Sequence, residues 1–334
     1  MSRRLFWLSI PFKEPFTTAA GGIRGRDLIV LRVEQDGYVG WGEAAPFEPY
    51  DGVPVAAVAQ VLQERITPTG YPQVHAADEM AFLDLEGRRL GVPVAEPKAD
   101  SVAVNCTLAG ATPEDVAATA TRARADGYEC FKLKVGLADD EARVAAVRDA
   151  IGPDALLRLD ANGAWSPYEA LPRIERLAPY RLEFVEQPCL TLDDLALVRR
   201  ECEVPIAADE AVQSASDVEA AASAGACDVV SVKLAPMGGI DAARAAVEAA
   251  REAGIEPYIS STLDGPWGIA ASLQLASAEE ISLHCGLATL GLFSGAIATA
   301  LPSPKGGRID VPAGPGLGVD VPEEVIREVL VQEL

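Results

Sequence analysis

The sequence predicts an α/β protein: a (β/α)7β, TIM-like barrel preceded by an α+β capping domain that the C-terminal tail completes. Three observations carry this. Lys132 and Lys134, Asp160, Glu186, Asp209 and Lys233 stand at the ends of short apolar runs: CFKLKVG, LLRLDAN, LEFVEQP, PIAADEA and DVVSVKL. From Lys134 onward the steps are 26, 26, 23 and 24 residues, close to a strand-plus-helix unit repeated around a barrel. Ala-rich amphipathic stretches fill the gaps, and residues 1 to about 95 lack the rhythm altogether.

Within the first segment, RDLIVLRVEQDGYVGWGEAAP reads as two strands joined at Gln35-Asp36-Gly37, since Asp-Gly marks a hairpin. VPVAAVAQVLQERI and ADEMAFLDLEGRRLG read as helices, the second stopped by Gly91. The expected barrel strands are 101–108, 129–135, 155–160, 182–187, 205–209, 228–234, 256–261 and 281–286. Between them, DAARAAVEAAREAG (241–254) has the clearest helical period and a Gly254 stop. The Gly/Pro-rich stretch GGRIDVPAGPGLGVDVP is expected to return to the cap. The domain expectation is therefore 1–98 for the cap, 99–300 for the barrel and 301–334 for the tail.

Composition narrows the function. A hydrophobic fraction of 49% is ample for a buried core, and the formal net charge is −22. So acidic a chain repels phosphate backbones and anionic membranes, so neither nucleic acid nor membrane is an expected partner. Six scattered cysteines without a C-x-x-C read as reduced thiols of a cytoplasmic protein. With only His75 and His284 available, a zinc site or histidine acid–base chemistry is disfavoured. The opening MSRRLFWLSIPFKEPF is too short in apolar residues, and too soon interrupted by Pro11, Lys13 and Glu14, for a signal peptide.

The chemistry sits at the strand ends, where barrel active sites gather. Asp160, Glu186 and Asp209 end three consecutive strands. Three hard oxygen donors suit Mg2+ or Mn2+ rather than a soft metal. A single strand-end acid more often caps a helix or pairs with Arg; three in succession between lysine-bearing strands favour a metal. Lys132 and Lys134 are two apart and share a strand face. Their apolar neighbours exclude a solvated edge, and mutual repulsion with a metal nearby would lower the pKa of one toward that of a general base. Lys233 would approach from the other side of the mouth. Metal and lysines together suit removal of a proton beside a carboxylate, with the resulting dianion stabilised by the metal and the second lysine.

These segments resemble the enolase superfamily, in its muconate-lactonising subgroup: F-K-L-K-V-G (131–136), L-D-A-N-G-A-W (159–165), V-E-Q-P (185–188), A-D-E (208–210) and S-V-K-L-A-P-M-G-G-I (231–240). G-W-G-E-A-A-P (40–46) and D-L-E-G-R-R-L-G-V-P (84–93) are similar to that family's capping domain. Within the subgroup, I-S-S-T-L-D (259–264) and C-G-L-A-T-L-G-L-F (285–293) look most like the o-succinylbenzoate synthase family. That resemblance implies a lyase of menaquinone biosynthesis acting on a small-molecule carboxylate. It implies Lys134 as base, Lys132 keeping it poised, and Lys233 stabilising the dianion. Ser260, Ser261 and Asn162 are expected to contact substrate, with Glu210 and Asp264 supporting from behind. Many relatives carry glutamate where this chain has Asp264. The cap loops 15–22 and 47–52 are expected to close over the mouth.

Other readings stay open. An N-succinylamino acid racemase would use Lys134 and Lys233 as opposed bases; muconate cycloisomerase and dipeptide epimerase are further relatives. Outside the family stand a Schiff-base aldolase acting through Lys233 and a non-catalytic binding barrel. A homo-oligomer is left open.

Overall fold

The computed structural model describes residues 1–18, 21–65 and 70–334. The cap begins with β1 (Ser2–Thr18), β2 (Gly21–Gln35) and β3 (Tyr38–Ala44). β2 and β3 pair antiparallel across the Asp36-Gly37 turn, where both residues take positive φ, as a two-residue hairpin requires. β1 pairs with β2 along most of its length, with the register shifting between Pro11 and Phe16. A proline has no N–H for a ladder, so such an irregularity is where one is tolerated. The long first strand was not expected from the sequence.

Helices α1 (Glu48–Asp51), α2 (Val55–Glu64) and α3 (Pro72–Leu90) follow. Gly91 ends α3 in the left-handed conformation, its N–H donating to the Gly87 carbonyl. The G-W-G segment of β3 lets α3 lie directly on the sheet. A Cβ on Gly40 would fall 2.1 Å from the Ala81 carbonyl oxygen, and one on Gly42 2.0 Å from that of Ala77.

The barrel follows. β4 (Ser101–Ala103) and β5 (Cys106–Leu108) replace the single expected strand 101–108, because the chain leaves the barrel register at Val104–Asn105. Then come α4 (Pro113–Ala125), β6 (Cys130–Lys134), α5 (Asp140–Ile151), β7 (Leu156–Asp160), α6 (Pro167–Leu177) and β8 (Leu182–Glu186). They are followed by α7 (Leu192–Glu201), β9 (Ile206–Ala208), α8 (Ala215–Ala224) and β10 (Val229–Lys233). The last units are α9 (Leu234–Met237), α10 (Ile240–Glu252), β11 (Glu256–Ser260) and α11 (Pro266–Ala278).

β5 to β11 form one sheet in sequence order, and the pairs within it are parallel. The expected eighth strand, 281–286, is not a continuous strand. Its end instead bridges both edges, Cys285 with Val104 and Gly286 with Ser260, so the barrel closes through two residues. A Cβ on Gly286 would sit 2.8 Å from the Ser260 Cβ, which explains glycine at the seam.

The tail touches both parts. β12 (Arg308–Asp310) pairs with β4 of the barrel, and after α12 (Glu323–Glu328), β13 (Leu330–Glu333) pairs with β1 of the cap. Cap and barrel meet over Trp41 and Trp267, whose rings stack at 5.7 Å. Among the described residues no helix is long and apolar enough to cross a membrane.

Candidate active site

Parallel register sets Lys134, Asp160 and Glu186 side by side at the ends of three neighbouring strands. Lys134 of β6 stands level with Asp160 of β7, and Asp160 with Glu186 of β8. Asp209 follows directly after β9, and Lys233 is level with Ser260 of β11. A cavity of about 290 Å³ opens above them. Its walls come from the barrel (Lys132, Lys134, Asn162, Asp209, Glu210, Lys233, Ser260, Ser261) and from the cap (Phe16, Gly21, Gly22, Ile23, Phe47, Pro49, Tyr50). Of the expected loop 15–22, Ala19 and Ala20 lie outside the described residues.

The charges are tightly paired. The Lys132 ammonium lies 2.8 Å from Asp160 and 2.7 Å from Glu186. Lys134 donates to Asp160 Oδ2 at 2.6 Å and to Asn162 Oδ1 at 3.0 Å. Lys233 lies 2.6 Å from both Asp209 oxygens. Burial works against ionised Asp160 and Asp209, but the lysines outweigh it and hold both carboxyls below the ordinary range. Glu186 goes the other way: burial, then the Asp160 charge, push it up to about 7. Burial likewise opposes the Lys132 ammonium, yet Asp160 and Glu186 raise its pKa well above that of a free lysine.

The remaining expected residues are placed as follows. Asn162 links Lys134 to Glu210, donating to Glu210 Oε1 at 2.8 Å. Its own φ is positive, a conformation asparagine tolerates better than most residues. Among the described residues the second Glu210 oxygen is buried without a hydrogen-bond partner, and burial followed by the Asp209 charge pushes this carboxyl up to about 8. Ser260 shares a 2.6 Å hydrogen bond with Ser231, and Ser261 one of 3.0 Å with Thr289. Asp264 does not line the mouth. It accepts from the Thr262 N–H and hydroxyl and lies beside Glu43 and Arg26 at the seam between cap and barrel.

Sequence reasoning missed several residues. Tyr50 reaches down from α1, donates to Asp209 Oδ1 at 3.0 Å, and sets its ring 3.9 Å from the Lys233 ammonium. Gln187 accepts from the Asp209 N–H at 2.7 Å and donates to the Cys189 carbonyl, fixing the strand end that carries Asp209. The signal for Gln187 was present, since a polar residue after Glu186 in an apolar barrel needs a partner. Arg26 donates to the carbonyls of Thr262, Pro46 and Ala45, tying cap loop to barrel rim.

The donor set suits a divalent metal. Asp160, Glu186 and Asp209 are hard oxygen donors on three adjacent strand ends, buried where uncompensated negative charge is costly. Among the described residues no three carboxylate, imidazole or thiolate donors converge to enclose an ion by themselves; each carboxylate instead meets an ammonium.

The whole chain is similar to several known enzymes. The o-succinylbenzoate synthase of Thermobifida fusca is 38% identical over 287 residues, covering 84% of this chain and 80% of that protein. The N-succinyl Arg/Lys racemase from Bacillus cereus superposes with a TM-score of 0.91 at 25% identity, covering 99% and 98% of the two chains. The dipeptide epimerase from Enterococcus faecalis, complexed with Mg and the dipeptide L-Leu-L-Tyr, gives 0.89 at 29% identity, covering 96% and 99%. Enolase-superfamily members bind a divalent metal. The Enolase C-terminal domain-like family matches residues 115–325, and the chain belongs to it.

Proposed function

We propose that the protein is an o-succinylbenzoate synthase, a lyase that dehydrates 2-succinyl-6-hydroxy-2,4-cyclohexadiene-1-carboxylate to an aromatic product. The observation that carries this reading is the placement of two lysines on different carboxylates of one mouth, Lys134 on Asp160 and Lys233 on Asp209. The T. fusca relative supports the choice of reaction. Asp160, Glu186 and Asp209 are assigned to hold Mg2+, with Mn2+ the alternative. When bound, that ion supplies positive charge at the substrate carboxylate and favours the added negative charge as the α-proton leaves.

The chain's own residues do the rest. Lys134 takes the proton from the carbon bearing the carboxylate, and Asn162 holds its Nζ by a hydrogen bond. Lys132, held between Asp160 and Glu186, keeps a fixed positive charge beside the base. Lys233 faces the developing dianion as an ammonium. Lys134 then returns its proton to the departing 6-hydroxyl, water leaves, and the ring becomes aromatic. Phe16, Ile23, Phe47 and Tyr50 line the mouth from the cap and are assigned to keep water from the reacting carbon. Ser260 and Ser261 are offered as substrate contacts. Six free cysteines are consistent with a cytoplasmic setting.

A second reading, N-succinylamino acid racemase, rests on the same two lysines acting as opposed bases. Incubation in deuterated water separates the two. A synthase forms the aromatic product and needs both lysines, whereas a racemase lacking one lysine still exchanges the α-proton of one enantiomer. Exchange without any aromatic product from the cyclohexadiene substrate would move the assignment to the racemase.

A further inference from the structure

Beneath the mouth lies a group that the mechanism above does not use. Arg158 of β7 is fully buried inside the barrel. Its Nε donates to Glu183 Oε2 and its Nη1 to the His284 carbonyl, both at 2.6 Å. The guanidinium carbon lies 4.6 Å from the Phe184 ring centre and 5.1 Å from that of Tyr258. Those two rings are themselves 5.9 Å apart. Tyr258 belongs to β11, three positions around the sheet from the strand of Glu186. Its buried hydroxyl crosses the barrel interior and donates to Glu186 Oε2 at 2.7 Å.

A phenylalanine would fill this space without a polar atom to satisfy. Among the described residues the hydroxyl has one hydrogen-bond partner, the carboxylate of a strand-end acid. The last torsion of a glutamate is broad and nearly two-fold. A carboxylate that must present one oxygen upward therefore needs a donor that fixes the other, and outer donors of this kind orient metal ligands. Lys132 does not supply that discrimination, because its ammonium lies 2.7 Å from both Glu186 oxygens. Tyr258 contacts Oε2 alone.

We propose that Tyr258 is a positioning residue for the metal site, orienting the Glu186 carboxylate from below, and that Arg158 clamps the Tyr258 ring in place. This rests on the assignment of Glu186 as a metal ligand. The inference concerns metal affinity first and turnover only through it.

The test is Tyr258→Phe in the full chain, which deletes one oxygen and keeps the ring. Mn2+ binding is measured by calorimetric titration of the metal-free protein, alongside its melting temperature. The expected result is Mn2+ affinity weaker by about 10- to 100-fold. A merely structural role would lower the melting temperature and leave the Mn2+ affinity alone. Wild-type binding with a Tyr258→Phe affinity within two-fold of it would overturn this inference and leave the metal site standing. Wild-type protein that binds no Mn2+ would overturn both.

Discussion

The ring of Tyr50, from the cap, lies 3.9 Å from the ammonium of Lys233, at the end of a barrel strand. Its hydroxyl meets Asp209, the acid that also holds that lysine. Cap and barrel are thus joined at the groups assigned to the reaction as well as at their seam. Tyr50→Leu removes the ring face, an interaction of about 0.5–2 kcal/mol, and should lower kcat by roughly 2- to 30-fold. Tyr50→Phe keeps the ring and should lose less. Steady-state kinetics on both variants check this; equal losses would mean that the ring face contributes nothing.

The three carboxylates should behave as a unit. Asp160→Asn, Glu186→Gln and Asp209→Asn should each reduce kcat/KM by several powers of ten, because each removes a charge that the metal needs. Chelation should abolish turnover and Mg2+ restore it. Full activity in rigorously metal-free protein would refute the site.

The seam predicts a pH dependence of stability. Glu43 is buried and accepts from the Gly265 N–H at 2.7 Å. Burial, then the Asp264 charge, push its carboxyl from near 4.5 up to about 8. The folded state thus holds this proton more tightly than the unfolded chain does. The contribution is complete below about pH 4.5 and is lost as the pH rises through about 8. Urea unfolding at pH 5 and pH 9 should show a decline that Glu43→Gln reduces. An identical decline in the variant would remove Glu43 as its source.

Much of this was legible because barrel strands repeat a simple pattern, a short apolar run ending in a reactive side chain. Asp160, Glu186 and Lys233 occupy the last position of their strands. What escaped depends on partners distant in sequence. Tyr258 and Arg158 look like ordinary strand residues until the barrel closes and sets them across its interior. The first strand was obscured by Pro11, which sits where the β1–β2 register slips. The eighth failed to form because its role is reduced to the bridges at Cys285 and Gly286, for which two residues suffice.

Substrate charge gives a further prediction. The stretch Ser282–Gly286 carries no carboxylate, and only Gly286 of it lines the mouth. Among the described residues Glu210 is the one lining acid outside the three assigned ligands, and Asn162 already donates to it. A substrate ammonium would lose hydration and gain little. Dipeptides such as Ala-Glu should therefore epimerise negligibly in a library screen. Turnover at ~10⁴ M⁻¹s⁻¹ or above would overturn the substrate class and leave the fold and metal site intact.

The most direct measurement of the central claim follows aromatic product by absorbance from 2-succinyl-6-hydroxy-2,4-cyclohexadiene-1-carboxylate, with Mg2+, for wild type, Lys134→Ala and Lys233→Ala. The account predicts wild-type turnover within the usual enzyme range, at ~10⁴ M⁻¹s⁻¹ or above, and no product from either variant. Wild-type protein that forms no aromatic product while exchanging the α-proton of an N-succinylamino acid would contradict it.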